Sequence, residues 1–328
     1  MADNELALMQ WQIGKQSALA TKVTGVTKLI GVTDGTITPV VESSLVEEQR
    51  GTLTPGYVAT QDKKGGTGKL SVEVYAEQAA HWFDCLFGLA TPGATPDYLR
   101  TYSAPGAKPT LLPISLMRGS SEGAYGLTGA VLNELTLKGE KNKRLSAELG
   151  FIGHSVEEHT LGSLSDPATA TPFHSNQMTM FLDTWAGTMG ATALGVNVAS
   201  FELGLNLNKV LQYGLGAITP AGVNVNKSDA GSNQLKLSLE FTAAKSKTWL
   251  DAVLGTGPFQ AQIRLLYTVS TNVTLQIDYA GFCAEAPEIF SDDDGVAQCD
   301  FTLTPQYHAT LATWCKIALK SPTAVTFA

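Results

Sequence analysis

Residues 70–75 alternate: Leu70, Val72 and Val74 point one way, Ser71, Glu73 and Tyr75 the other. That two-residue period predicts a strand with one buried face. The period then lengthens. Ala79, Trp82, Phe83, Leu86 and Phe87 recur at helical spacing until Gly88 stops the run. The same succession returns far downstream. Leu237, Leu239 and Phe241 alternate with Ser238 and Glu240, and Ser246, Trp249, Leu250, Val253 and Leu254 form a helical stripe ending at Gly255. Set side by side without a gap, residues 69–88 and 236–255 are identical at eight of twenty positions. The expectation is an internal duplication whose unit is a sheet with one helix packed on it. Trp82, Phe83, Trp249 and Leu250 are expected in the core of the two copies, since aromatic stripes at helical spacing are ordinarily core.

The flanks extend the repeat. A strand pattern precedes each copy, at 31–42 and 198–210. In the first half a polar connection follows, "SSLVEEQRGTLTPGYVATQDKKGGTG" (43–68). A loop of that length is usually functional or disordered. After each helix come further alternating segments, and the last hairpin of each half turns at "GEKNK" (139–143) or "SDDDG" (291–295), both good turn chemistry. The expected organisation is a first domain over 1–155, a linker over 156–180 and a second domain over 181–328. The expected fold is mainly β: two duplicated β-sandwiches, each flanked by one α-helix.

Composition sharpens this picture in three places. Hydrophobic residues make up 44% of the 328 and charged residues 16%, enough apolar material for two packed cores. The net charge of −8 disfavours a nucleic-acid clamp, which needs a basic surface to neutralise phosphates. Cys85, Cys283, Cys299 and Cys315 form no close pair and no metal-ligand spacing, so they read as reduced core thiols of a cytoplasmic product. The opening "MADNELALMQ" carries acids where a signal peptide needs bases, and no apolar run reaches membrane-spanning length.

Several segments invite a chemical reading and do not support it. "KKGGTGKL" (63–70) lacks the first glycine and the final hydroxyl of a phosphate loop, and leads into a strand instead of a helix; it reads as a flexible loop. "HSVEEH" (154–159) places its histidines on neither one helical face nor one strand face and reads as solvated connection. "SDDDG" lacks the ligand order of a calcium loop. No Gly-x-Ser-x-Gly elbow occurs. Neither a catalytic constellation nor a metal or cofactor site is expected, and the chain does not read as an enzyme.

One pattern remains. The polar faces of the strands carry Glu73, Glu134, Glu148, Glu202, Glu240, Asp278 and Asp300, with the bases Lys69, Lys138, Arg144 and Lys236 toward strand ends. A solvated outer face explains alternation of this kind, but it does not require the acidic bias.

With these residues in view, "IGKQSALATKVTGVTKLIGVTDGTITPV" (13–40), "EEQRGTLTPGY" (47–57) and "GKLSVEVYAEQAAHWFDCLFG" (68–88) resemble the tail tube (major tail) proteins of long-tailed bacteriophages. The resemblance is clearest over residues 12–88 and rests on loose motifs with no catalytic signature. It implies two fused tail-tube β-sandwich domains, three chains making a pseudo-hexameric ring, and rings stacking into a hollow tail in the virion, assembled in the host bacterial cytoplasm. It implies as partners other copies of the chain, the tape measure, tail terminator and baseplate or tip proteins, and phage DNA in transit without specific binding. In that setting Glu134, Glu148, Asp278 and Asp300 are expected to face the lumen. The connection 43–68, through Glu47, Glu48, Arg50, Tyr57, Lys63 and Lys64, is expected to contact the next ring. Two other classes stay open from the residues: a tube subunit of a contractile injection apparatus, normally a single domain, and a carbohydrate-binding or adhesin-type β-sandwich virion protein.

Overall fold

The computed structural model describes residues 9–46, 58–120, 122–167, 169–194, 198–240, 255, 259–285, 288–293 and 296–323. The fold is mainly β. In chain order the N-terminal half contributes β1 (Gln10–Lys15), β2 (Thr27–Lys28), β3 (Val32–Val46), β4 (Val58–Glu73), helix α1 (Ala76–Phe87), β5 (Arg100–Ser103), β6 (Ile114–Ser120), β7 (Gly123–Glu140), β8 (Ser146–Gly153) and β9 (Ser155–His159). The C-terminal half contributes β10 (Met178–Thr184), β11 (Val198–Asn206), β12 (Lys209–Tyr213), β13 (Pro220–Val225), β14 (Leu235–Glu240), β15 (Gln260–Ser270), β16 (Val273–Cys283), β17 (Glu288–Asp293), β18 (Val296–Pro305) and β19 (Cys315–Lys320).

One antiparallel layer runs through both halves in the order β3-β4-β8-β7-β11-β14-β18-β17. Behind it lie two flanking layers, β2-β1-β6-β7-β9 in the N-terminal half and β10-β15-β16-β19-β5 in the C-terminal half. Strand β7 serves two layers: residues 123–130 pair in the flanking layer and 131–140 in the through layer. The bend falls at Gly129, whose φ of +64° is a left-handed conformation that costs a glycine little. A Cβ there would sit 2.2 Å from the Leu19 carbonyl oxygen.

The alternation read in the sequence sorts the two faces of the through layer. Leu70, Val72, Leu135, Leu137, Leu149, Leu203, Leu237 and Phe301 point into one continuous core shared with Ile13, Leu116, Ile263, Tyr279 and Ile317 of the flanking layers. Lys69, Glu134, Glu148 and Thr136 point out. Helix α1 lies between the halves, touching β7 on one side and β5, β16 and β19 on the other. Its residues 76–86 are all buried, as suits a helix enclosed on every side. Ala76, Ala79 and Ala80 allow that close approach, and Gly88 at φ +100° ends it. Trp82 and Phe83 are buried. Trp249, Leu250 and the rest of the second helical stripe lie outside the described residues.

Three local readings are corrected. The connection 43–68 is not mainly loop: β3 continues to Val46 and β4 resumes at Val58, so residues 43–46 and 58–68 form a long two-stranded arm. Thr60 opposes Ser44, and Lys63 opposes Glu42 and bonds it at 2.7 Å; this cross-strand pairing is what a count of polar residues misses. "KKGGTG" is therefore strand. Its glycines serve close packing rather than flexibility, since a Cβ on Gly66 would meet Leu127 at 2.4 Å and Val156 at 2.7 Å. "HSVEEH" is likewise no solvated connection, because its residues 155–159 form β9 against β7. Residues 171–175 of the expected linker are pinned to the N-terminal half, whereas 178–180 open β10 in the C-terminal half. Phe173 is fully buried, bonded through its backbone to Val74 and Leu145, and Thr171 donates to the carboxylate of Glu77 in the first turn of α1.

Candidate assembly surface

The outward face of the through layer carries a ladder of alternating charge across four strands. Lys138 of β7 donates to Glu148 of β8 at 2.7 Å and lies 3.8 Å from Glu202 of β11; Glu202 in turn accepts from Lys236 of β14 at 2.8 Å. The hydrogen bond from Lys236 holds the Glu202 carboxyl below its usual range, and the bond to Glu148 raises Lys138. Farther along, Glu134 accepts from the Asn206 amide at 2.9 Å, and Asp300 accepts from Ser238. Asp34, Glu73, Glu140 and Glu240 bring further acid to this layer, three of them paired with bases of the turn after β7: Glu73 with Arg144, Glu140 with Lys143 and Glu240 with Lys141. The face is acidic on balance, with Lys138 and Lys236 in one band and Lys69 apart from it, level with Glu134.

Of the four expected lumen acids, Glu134, Glu148 and Asp300 lie on this face and Asp278 does not. Asp278 sits on β16 in a flanking layer, 3% exposed, bonded in bidentate fashion by Arg264 at 2.6 and 2.9 Å and by Gln276 at 2.8 Å. Alternation fixes which way a residue points from its own strand but not which layer the strand joins. Of the expected stacking residues, Glu47, Glu48, Arg50 and Tyr57 lie outside the described residues. Lys63 and Lys64 lie on β4, with the Lys63 ammonium 5.2 Å from the ring centroid of Tyr213 and the Lys64 backbone bonded to Ile218 and Tyr213.

The seam between the halves is an ordinary strand ladder. β7 and β11 pair from Ser200 opposite Glu140 to Asn206 opposite Glu134, with Leu203 opposite Leu137 on the core side. By contrast β3 and β17, the two ends of the layer, each have one neighbour among the described residues.

The registers on either side of the repeated strand coincide. In the N-terminal half Lys69 stands between Thr36 and Gly150, and Ser71 between Asp34 and Glu148. In the C-terminal half Lys236 stands between Glu202 and Thr302, and Ser238 between Ser200 and Asp300. A shift of register falls at the same place in each, between Val32 and Asp34 and between Val198 and Ser200. Glu148 and Asp300 thus occupy equivalent places.

Two features carry no plain signal in the sequence. Lys209 is 3% exposed, and its ammonium donates to the carbonyl oxygens of Cys85 and Leu86 at the C-terminus of α1 and of Leu132 on β7. Burial pushes its pKa down to about 8. A favourable pairing with the helix C-terminus offsets part of that desolvation. The second feature is the hairpin β12–β13, a separate two-stranded ribbon resting on β4. Lys209 reads as an ordinary strand-end base, and only the fold drives it into α1.

Among the described residues no group of three or more His, Cys, Asp or Glu could hold a metal ion, and no helix is long and apolar enough to cross a membrane. A family model described as phage tail tube protein matches residues 12–310, nearly the whole chain. No curated protein matches the sequence.

Proposed function

The chain belongs to the phage tail tube protein family, and from that premise we propose that three copies close into a ring of six similar wedges whose acidic sheet face lines a channel for DNA. The observation that carries this reading is the seam. Inside one chain, β7 of the first half is completed by β11 of the second. By register β17 holds the place of β7, and β3 the place of β11. The join between chains is then β17 of one copy on β3 of the next. Head-to-tail joining of this kind removes exposed edges only when the ring closes. Transferring the internal register places Glu288 of one chain opposite Thr38 of its neighbour, as Thr136 stands opposite Gly204.

Stacked rings then form the tube, assembled in the host cytoplasm with the tape measure, terminator and tip proteins. The duplicated register favours this over a single-domain contractile tube subunit. The enclosed Trp82 disfavours a carbohydrate-binding surface built on that side chain.

The test is a cysteine pair, Thr38→Cys with Glu288→Cys, in a background whose own four cysteines include no exposed thiol among those described. Oxidation is expected to close covalent trimers, with rings having a central hole by negative-stain microscopy. Monomers only, under conditions where the parent chain forms rings, would place the contact elsewhere.

A further inference from the structure

We infer that Lys69 and Lys236 form one sixfold ring of amines inside the channel, and that the phosphates of the passing DNA engage it transiently. The inference rests on the tube reading above and adds the residues that meet the DNA. The two lysines open the repeated strand and hold equivalent places in it. Packing explains why their neighbours Leu70 and Leu237, both 1% exposed, agree between the copies. It does not explain the lysines, which are exposed on the outward face. Their settings also differ. Lys236 donates to Glu202 at 2.8 Å, whereas Thr36 stands in the corresponding place beside Lys69, in a hollow shared with Asp34, Glu134 and Glu148. An amine present in two different settings points to a partner that both meet. Lys138 has no such counterpart: it stands opposite Ser146, and the corresponding residue opposite Gln298 is Ser291.

The ladder fixes where the amines stand. From Thr36 the row of paired residues runs through Lys69, Gly150 and Glu134 to Asn206, whereas the residue equivalent to Thr36 is Glu202, four residues earlier on β11. Four residues at about 3.4 Å, set against four strand spacings at about 4.8 Å, tilt the strands by about 35° from the axis of a ring of equivalent halves. The tilt brings Lys69 and Lys236 to one height. The through layers of three chains then close a cylinder roughly 22 Å in radius, with six amines pointing inward at that height. The gap they leave to a duplex on the axis is of the order of the screening length, about 8 Å at physiological salt. By the same equivalence Glu148 with Asp300, and Glu73 with Glu240, make acidic rings beside it. A polyanion is repelled by the acidic rings and meets one weak hold in each ring of chains. Amines facing phosphates read no bases, so the hold is indifferent to DNA sequence.

Lys69→Gln with Lys236→Gln tests it in whole particles. Both side chains are exposed, so the variant is expected to keep the parent melting temperature and to form tubes. It should eject DNA about twofold faster at about 0.01 M salt, where charges act over about 30 Å, and at the parent rate at about 1 M. Lys69→Arg with Lys236→Arg keeps the charge and should eject like the parent. Formaldehyde added to parent particles during ejection should join DNA to the peptides bearing Lys69 and Lys236, and these crosslinks decide alone if the glutamine variant does not assemble. Equal rates at low salt, or DNA joined to Lys138 but to neither member of the ring, would overturn the ring and leave the tube reading standing. A parent chain that forms no tubes, or tubes whose DNA joins only to lysines off the through layer, would overturn both.

Discussion

Lys209 reaches across from the C-terminal half to place its ammonium 2.7 Å from the carbonyl oxygen of Leu132 in the N-terminal half. The same nitrogen caps the end of α1 through Cys85 and Leu86, so one buried charge ties together a strand, a helix and the base of the hairpin. Lys209→Ala would leave those carbonyl oxygens short of a donor and open a cavity, at a cost of about 3 kcal/mol. The sign of the pH effect is opposite to that of an ordinary ion pair. The folded pKa, about 8, lies below the ordinary lysine value of 10.5, so between these values the unfolded chain binds the extra proton and stability rises with pH. Denaturant titrations at pH 7.5 and pH 10 should therefore show the gap between parent and Lys209→Ala widening at the higher pH. A gap that narrows would mean the amine is not desolvated.

Trp82→Ala removes a large side chain, 3% exposed, from the face of α1. The expected loss is about 3–5 kcal/mol, and with it ring formation, because α1 packs on both halves. Circular dichroism melts check the first part and microscopy the second. A variant that melts like the parent would mean the helix contributes little to the join.

Charge reversal separates the acids of the through layer from Asp278. Changing Glu134, Glu148 and Asp300 to lysine should leave tubes able to form but slow DNA ejection, most at low salt, because the channel then attracts phosphates. Ejection at the parent rate at every ionic strength would remove these residues from the channel. Asp278→Lys should act differently. It would set a second cation beside Arg264 in a site that is 4% exposed on the Asp278 side, and the subunit should lose stability by about 3 kcal/mol or more before any effect on ejection can be read.

The arm formed by β3 and β4 is expected to contribute to stacking. Val41 and Leu45 are exposed on it, beyond the part of β4 that pairs with β8. Replacing residues 43–62 with a short glycine turn should leave a folded chain that closes rings but does not stack them. Sedimentation would distinguish discrete rings from tubes, and normal tubes would show that the arm is dispensable.

How much of this was legible in the sequence depends on the range of the interaction that decides each feature. The strands from Leu70, Leu135, Leu149, Leu203, Leu237 and Phe301 were readable because a half-buried strand writes its burial into every second residue. Helix α1 was readable because its apolar spacing changes at Ala79 and glycine follows at 88. The recurrence of Lys69 and Ser71 as Lys236 and Ser238 showed as a repeat because equal local environments select equal residues. What stayed hidden was set by partners distant in the chain. Whether Asp278 joins the acidic face or is bound by Arg264 depends on which layer β16 enters. Whether residues 58–68 are loop or ladder depends on the Glu42–Lys63 pairing and on Leu127 packing over Gly66. Whether Lys209 is a surface base or a helix cap depends on where α1 ends in space. Alternation encodes the two sides of a strand, and a sequence holds no comparable mark for which strand lies beside it; that choice is made by the packing of the whole core.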